Sequence, residues 1–254
     1  MILVDGIRSA DGTVRVKADD EGLLLGRGAF ETMRTYGGRL YGLDAHLDRL
    51  MASCAALMIS MPDESLLLDE LETVTSDLQG DCMVRVTVTA GGLRIVRSAP
   101  LPSAPTSMAV ATRFFVPPPW LDGSVKHTSR AYSRLAVMDA GVDEVLWFDE
   151  EDQLLEGTRS NIFAVRGGVL LTPPADGRIL AGVTREGIIE AAVTLGIEVL
   201  CTNLSRRDRF DELYLCSTLK ELVPISEMDG QPYRGSGPVG AALLDEFRRS
   251  ASSA

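Results

Sequence analysis

The stretch Val125-Lys126-His127-Thr128-Ser129-Arg130, taken with Leu155-Glu156-Gly157-Thr158-Arg159-Ser160-Asn161, decides how the rest of the chain is understood. Lysine is scarce: Lys17, Lys126 and Lys220 are the only three. A primary amine just after a proline-rich break, followed by an acid between apolar runs, suits Schiff-base chemistry. An amine condenses with a carbonyl, and a carboxylate can hold a protonated heterocycle nitrogen. Spacing alone reads more simply as a surface lysine and a hairpin glutamate. The surrounding residues have to carry the chemical reading.

The 254 residues suffice for one large domain or two small ones with a substantial core. A net charge of −11 argues against a nucleic-acid or anionic-membrane surface, which needs a basic face. It leaves room for a local arginine cluster at an anionic small-molecule site. Cys54, Cys82, Cys201 and Cys216 are scattered, without the short paired spacings of a zinc centre, so no metal site is expected. Their apolar neighbours predict buried free thiols in a reducing compartment. The opening Met1-Ile2-Leu3-Val4-Asp5-Gly6 is too short and too soon interrupted for a signal peptide or membrane span, which predicts a cytoplasmic protein.

Along the chain, Ile2 to Val4 and Thr13 to Val16 read as strands. Ala29 to Tyr36 and Arg39 to Leu43 flank Gly37-Gly38, a hairpin signal. Asp44 reads as the N-cap of a helix whose core stripe is Leu47, Leu50, Met51, Cys54, Leu57 and Met58, with Arg49 beside it. A second helix runs from Pro62-Asp63-Glu64 to about Leu78. Met83 to Thr89 and Met108 to Val116 read as strands separated by a loop bearing Arg94 and Arg97. Pro117-Pro118-Pro119 marks the linker, since consecutive prolines disfavour helix and sheet alike. Beyond it, Arg130 to Ala140 and Thr184 to Leu195 read as helices, the second stopped by Gly196. Glu144 to Phe148, Asn161 to Val165, Val169 to Leu171, Ile197 to Cys201, Glu212 to Cys216 and Leu222 to Ile225 read as strands. Gly240 to Arg249 reads as a final helix with a frayed tail from Ser250 to Ala254. The expectation is an α+β chain of two domains, residues 1–116 and 125–254, joined by a linker at 117–124.

Five blocks stand in one family's order: Gly28-Ala29-Phe30-Glu31-Thr32, His46-Leu47-Asp48-Arg49-Leu50, Lys126-His127-x-x-Arg130, Glu156-Gly157-Thr158-x-Ser160-Asn161-Ile162-Phe163 and Leu180-x-Gly182-Val183-Thr184-Arg185. The chain resembles the fold-type IV, or class IV, pyridoxal-phosphate enzymes from about residue 1 to about 245. That group holds branched-chain and D-amino-acid aminotransferases and aminodeoxychorismate lyases. The resemblance implies a small N-terminal α/β domain and a larger, β-barrel-like C-terminal domain with helices. It also implies a homodimer with sites near its interface.

In that family pattern Lys126 is the amine of the internal aldimine with pyridoxal 5'-phosphate, and Lys220 is the competing amine. Glu156 faces the pyridine nitrogen, supported by the small polar Ser160 and Asn161. Arg49 is the cation for the cofactor phosphate, because a guanidinium can bind it through two bonds. Val183 and Thr184 open a helix whose free N–H groups suit an anion, and Ser217 with Thr218 adds hydroxyl donors. His127 is read as structural, since it points away from Lys126 on an extended stretch. His46 is expected to support the loop around Arg49. The sequence departs from many relatives at Arg27 between Gly26 and Gly28, at Ala131, and in lacking the Arg-x-His carboxylate trap of D-amino-acid aminotransferases. Arg27, Arg94 and Thr32 are therefore the candidates for substrate binding.

Two chemistries share Lys126, Glu156 and Arg49. One is transamination between an amino acid (D-substrates included) or an amine and a 2-oxo acid, which Ser217-Thr218-x-x-Glu221-Leu222-x-Pro224-Ile225 resembles. The other is the lyase reaction releasing 4-aminobenzoate and pyruvate, favoured by Lys126-His127-x-x-Arg130 and Phe30-Glu31-Thr32-x-Arg34. Transamination is placed slightly ahead. A non-catalytic binding protein on the same fold is the third reading, opposed by a lysine, an acid and an arginine kept in register.

Overall fold

The computed structural model of the chain describes residues 1–118, 120–233 and 235–253. Two compact units emerge, one comprising Met1–Ser103 with Val125–Arg130, the other Ala104–Ser124 with Ala131–Ala254.

The first unit contains β1 (Ile2–Val4), β2 (Ile7–Arg8), α1 (Glu21–Leu24), β3 (Gly28–Tyr36), β4 (Arg39–Leu40), α2 (Leu43–Ala56), α3 (Glu64–Ser76), β5 (Cys82–Thr89) and β6 (Arg94–Pro100). Its strands form one sheet in the order β2-β1-β6-β5-β3-β4. Period-two alternation places Val84, Val86 and Val88 of β5 on one face with Ala29 and Met33 of β3. That face packs on Leu47, Leu50 and Cys54 of α2 and on Leu67, Leu71 and Val74 of α3. Gly37 and Gly38 take φ of +58° and +81°, the left-handed pair that a tight β3–β4 turn requires.

The second unit contains β7 (Met108–Phe114), α4 (Ala131–Ala140), β8 (Glu144–Phe148), β9 (Gln153–Gly157), β10 (Asn161–Arg166), β11 (Val169–Thr172), α5 (Val183–Thr194), β12 (Val199–Cys201), β13 (Leu204–Ser205), β14 (Glu212–Ser217), β15 (Glu221–Met228), β16 (Gln231–Pro232) and α6 (Pro238–Ser253). Among the described residues its sheet runs β12-β11-β10-β14-β15-β7-β8-β9-β13, with β16 on β15, and it curls into a half-barrel. β10 is apolar along most of its length and buried on both faces, as expected of a central strand. Among the described residues no helix is long and apolar enough to cross a membrane.

Several local expectations need correction. Thr13 to Val16 is not a strand; β2 forms instead at Ile7–Arg8, antiparallel to β1. The stretch expected to be a loop around Arg94 and Arg97 is β6, held between β1 and β5 by a full antiparallel ladder. Asp44 lies inside the first turn of α2, while Gly42, at φ +62°, occupies the cap position. The α2 stripe is narrower than expected: Met51, inside the helix but off its buried face, is 54% exposed, and Met58, beyond the helix end at Ala56, is 83% exposed. Cys201 is exposed, whereas the other three thiols are buried. The tail is helical through Ser253, with Ala251 buried. Pro119 of the expected linker and Ala254 of the expected tail lie outside the described residues.

Candidate active site

Lys126 is fixed by its backbone. Its N–H donates to Ser53 Oγ of α2 at 3.0 Å, and its carbonyl accepts from Phe30 N–H at 3.1 Å. Thr128 N–H donates to Gly28 O at 2.8 Å, and His127 bridges Ala29, so residues 126–128 lie as a short antiparallel addition to β3. Lys126 Nζ stands 5.2 Å from the centre of the Phe30 ring. His127 falls on the other side of the extended backbone, as alternation demands. Its Nδ1 is buried with no partner among the described residues. Burial, then the charge of Arg130, lowers its pKa below the usual histidine value.

Beside this segment lies a buried triad. Glu31, on the core face of β3, accepts from Arg49 Nε at 2.6 Å and from Arg49 Nη2 at 2.8 Å. It also accepts from His46 Nδ1 at 2.8 Å. His46 and Arg49 sit three residues apart on α2 and so share one helix face. Burial pushes the Glu31 carboxyl up, but the hydrogen bonds from Arg49 and His46 and the charges of Arg49 and Lys126 outweigh it, holding its pKa at about 2. Burial depresses His46, and with Nδ1–H given to Glu31 the bare Nε2 is buried without a partner among the described residues. The motif points to Arg49 but not to the side chain of Glu31. The signal available was an acid in an apolar strand, which burial requires to be paired.

In the second unit, Glu156 lies at the end of β9 rather than in the turn itself. It accepts from Leu180 N–H at 3.0 Å and from Asn161 Nδ2 at 3.4 Å, and Asn161 also donates to Leu180 O at 2.8 Å. Asn161 therefore does support the acid. Ser160 turns elsewhere, donating to Glu144 at 3.1 Å. Gly182 precedes α5, and no side chain caps that helix. The backbone N–H groups of Val183 and Thr184 thus open the helix with no side chain bonded to them from the cap position. A Cβ on Gly182 would stand 2.0 Å from Asn161 Oδ1. Gly182→Ala is expected to displace Asn161 and lower stability by about 1–3 kcal/mol. Urea denaturation checks this, and a change under about 0.5 kcal/mol would contradict the close approach. Ser217 ends β14, and Thr218 follows it in the turn to β15; both are half-buried.

The expected substrate arginines are already engaged. Arg27 donates to the carbonyls of Leu57 and Met58 at 3.0 and 2.9 Å and pairs with Glu21. Arg94 makes two 2.7 Å bonds to the buried Glu70 of α3. Thr32 is half-buried on the opposite sheet face from Glu31, in register with Arg85 of β5 and, through it, Arg97 of β6. Sequence reading passed over Arg85. Its guanidinium stacks 3.8 Å from the Phe30 ring, and burial, then the charges of Arg97 and Arg130, lowers its pKa. Among the described residues no group of acids, histidines or cysteines could hold a metal ion.

Residues 28–228 match the family described as amino-transferase class IV. Over 261 residues the chain is 33% identical to a putative branched-chain-amino-acid aminotransferase of Methanocaldococcus jannaschii, covering 92% of this chain and 90% of the relative. It is 30% identical to a D-alanine aminotransferase of Listeria innocua, with 93% and 90% covered. It is 28% identical to an aminodeoxychorismate lyase of Bacillus subtilis, with 96% and 92% covered. A solved structure of a hypothetical aminotransferase from Mycobacterium tuberculosis superposes with a TM-score of 0.91 at 24% identity, covering 100% and 99% of the two chains, and so shares the fold. With the match extending from β3 into β15, the chain belongs to the class IV aminotransferase family.

Proposed function

We propose that this protein is a pyridoxal 5'-phosphate-dependent aminotransferase moving an amino group between an amino acid or amine and a 2-oxo acid. The observation that carries the reading is the Lys126 amine. It is held by backbone bonds beside the paired Glu31 and Arg49, in a chain that belongs to an aminotransferase family. The side chains present fit the cofactor: an amine for its aldehyde carbon, an anchored carboxylate for its ring nitrogen and an uncapped helix end for its phosphate. When bound, that cofactor supplies an electron sink that acidifies the substrate Cα–H.

Each protein group then has one task. Lys126 would hold the cofactor at its aldehyde carbon, and its amine would serve as the base that takes the proton from substrate Cα and as the acid that gives it up. Glu156, held by Leu180 N–H and Asn161, would keep the ring nitrogen protonated. Arg49 of the first unit and Val183, Thr184, Ser217 and Thr218 of the second would be the donors to its phosphate, with Glu31 holding Arg49 through Nε and Nη2. A substrate carboxylate needs a cation. Arg27 and Arg94 would have to give up internal partners to supply it, whereas Arg85 beside Thr32 makes a ring contact and no hydrogen bond among the described residues. If so, Arg85→Ala raises the KM for amino donor by about tenfold or more, the expected size for a lost charged contact, while Arg27→Ala and Arg94→Ala chiefly lower stability. Unchanged KM in all three variants would remove arginine from substrate recognition. Action as a homodimer, in the cytoplasm, belongs to the same proposal.

The test is optical. Single D- or L-amino acids added to the purified holoenzyme should bleach its visible band, and a 2-oxo acid should restore it, which fixes the handedness as well. The lyase reading, favoured by Lys126-His127-x-x-Arg130, predicts a band unmoved by every amino acid and pyruvate released from aminodeoxychorismate. A protein that takes up no cofactor would return the chain to the class of binding proteins.

A further inference from the structure

Lys220 remains without an assigned task, and its position is unusual for a lysine. Its side chain is only 12% exposed, and Nζ is bonded to Glu144, whose side chain is fully buried. Glu144 sits beneath the turn between β9 and β10. Its Oε1 accepts from Arg159 N–H at 2.8 Å and its Oε2 from Ser160 Oγ at 3.1 Å. The Arg159 guanidinium stands 3.7 Å away but is 62% exposed. A Cβ on Gly157 would meet Glu144 Oε1 at 2.6 Å, so the carboxylate presses on bare backbone. Gly157 N–H closes the turn on Ser160 O at 2.6 Å.

The residues on either side of this turn are Glu156 and Asn161, which are bonded to each other through Asn161 Nδ2. Lys220 itself ends the β14–β15 turn, with its N–H on Ser217 O at 3.1 Å. The next residue, Glu221, is buried in the left-handed region at φ +58° and sends its carboxylate the other way, to Arg248 of α6. One buried amine thus joins the Ser217–Thr218 turn to the turn that carries Glu156. A lone buried carboxylate would be costly, and with the Arg159 guanidinium 62% exposed, the buried cation paired with Glu144 among the described residues is Lys220.

We propose that Lys220 is a positioning residue that, through Glu144, fixes the Gly157–Ser160 turn and with it the aim of Glu156. This rests on the reading of Glu156 as the partner of the cofactor ring nitrogen. Losing the ammonium frees Glu144 from one side. The turn then relaxes, and the Glu156–Asn161–Leu180 contacts lose their fixed geometry although none of those residues has changed. Contacts of this kind couple residues that share a network, so their substitutions should not be additive.

The experiment compares holoenzymes of the wild type, Lys220→Met, Lys220→Arg, Glu156→Gln and the Lys220→Met/Glu156→Gln pair. The readouts are equilibrium affinity for pyridoxal 5'-phosphate, the pH midpoint of the visible band, and the melting temperature without cofactor. Lys220→Met is expected to weaken affinity on the order of tenfold, within the range of such couplings. It should move the midpoint in the same direction as Glu156→Gln and add nothing to the midpoint of Glu156→Gln, while Lys220→Arg restores most of both. A midpoint moved by Glu156→Gln but not by Lys220→Met overturns the proposal and leaves the Glu156 reading intact. Additive shifts overturn it too, since Lys220 would then act independently of Glu156. A midpoint unmoved by Glu156→Gln overturns the Glu156 reading and the proposal with it. Should Lys220→Met fail to fold, the uncharged pair Glu144→Gln/Lys220→Met takes its place, and a wild-type midpoint there overturns the proposal.

Discussion

Lys126→Ala is expected to abolish the visible band of the holoenzyme and to lower turnover by at least about 10²–10⁴-fold, the range for loss of a positioned acid–base group. The proposed covalent link to the cofactor would be lost in the same change, so the effect should exceed that range. Neither other lysine is placed to take over. Lys17 lies on an exposed stretch, and the Lys220 amine is bonded to Glu144 in the second unit. Substitution leaves the backbone bonds that hold the segment in place, since alanine retains those groups. A Lys126→Ala protein that keeps the band, or loses less than about tenfold in rate, would contradict the assignment.

Glu31→Gln should be the most damaging substitution away from the reacting atoms. It leaves Arg49, with a side chain 11% exposed, facing a neutral amide, and breaking one side of a buried pair costs about 3–5 kcal/mol. Cofactor affinity should fall with it, since Glu31 holds Arg49 through both Nε and Nη2. The pH dependence has a definite sign. The folded pKa of Glu31, at about 2, lies below the ordinary 4.5. Its stabilising contribution is therefore complete above about pH 4.5 and is lost as pH falls from there toward 2. Urea denaturation of wild type and variant should show a wide gap at pH 7 that closes toward pH 2. A gap below about 1 kcal/mol at pH 7, or one that persists at low pH, would mean the pair does not carry this weight.

How far the sequence discloses this arrangement depends on how local each feature is. The alternation of Val84, Val86 and Val88 and the apolar run of β10 are visible by inspection, because side-chain period follows directly from backbone pleat. β6 is not, since Arg94, Arg97 and Pro100 mask an alternation in which only Val96 and Ser98 are buried. It is a strand because β1 and β5 pair with it, and that pairing is remote in sequence. β9 is hidden for a similar reason, being five residues long with an acid within it. At the site, Asn161 beside Glu156 is legible from spacing, as are His46 and Arg49 on one helix face. Glu31 beneath Arg49 is not, because 18 residues separate them and only the folding of α2 onto β3 brings them together. The capture of Arg27 and Arg94 by carbonyls and by Glu70 is equally invisible, and it is what separates a cation in a motif from a cation at liberty to meet a substrate.

The stitching of residues 126–128 onto β3 also sets how Lys126 opens. Its backbone partners are Phe30 and Ser53, with Gly28 holding Thr128, all remote in sequence, whereas α4, which starts only five residues later, belongs to the other unit. Amide protection at Thr128 and Phe30 should therefore rise and fall together, tracking the slow exchange of β3 and β5 rather than the fraying of the neighbouring helix. The Lys126 amine inherits the lifetime of the N-terminal sheet. Destabilising that sheet anywhere, even at Val84 or Leu71 in its core, shortens the time the lysine spends in place.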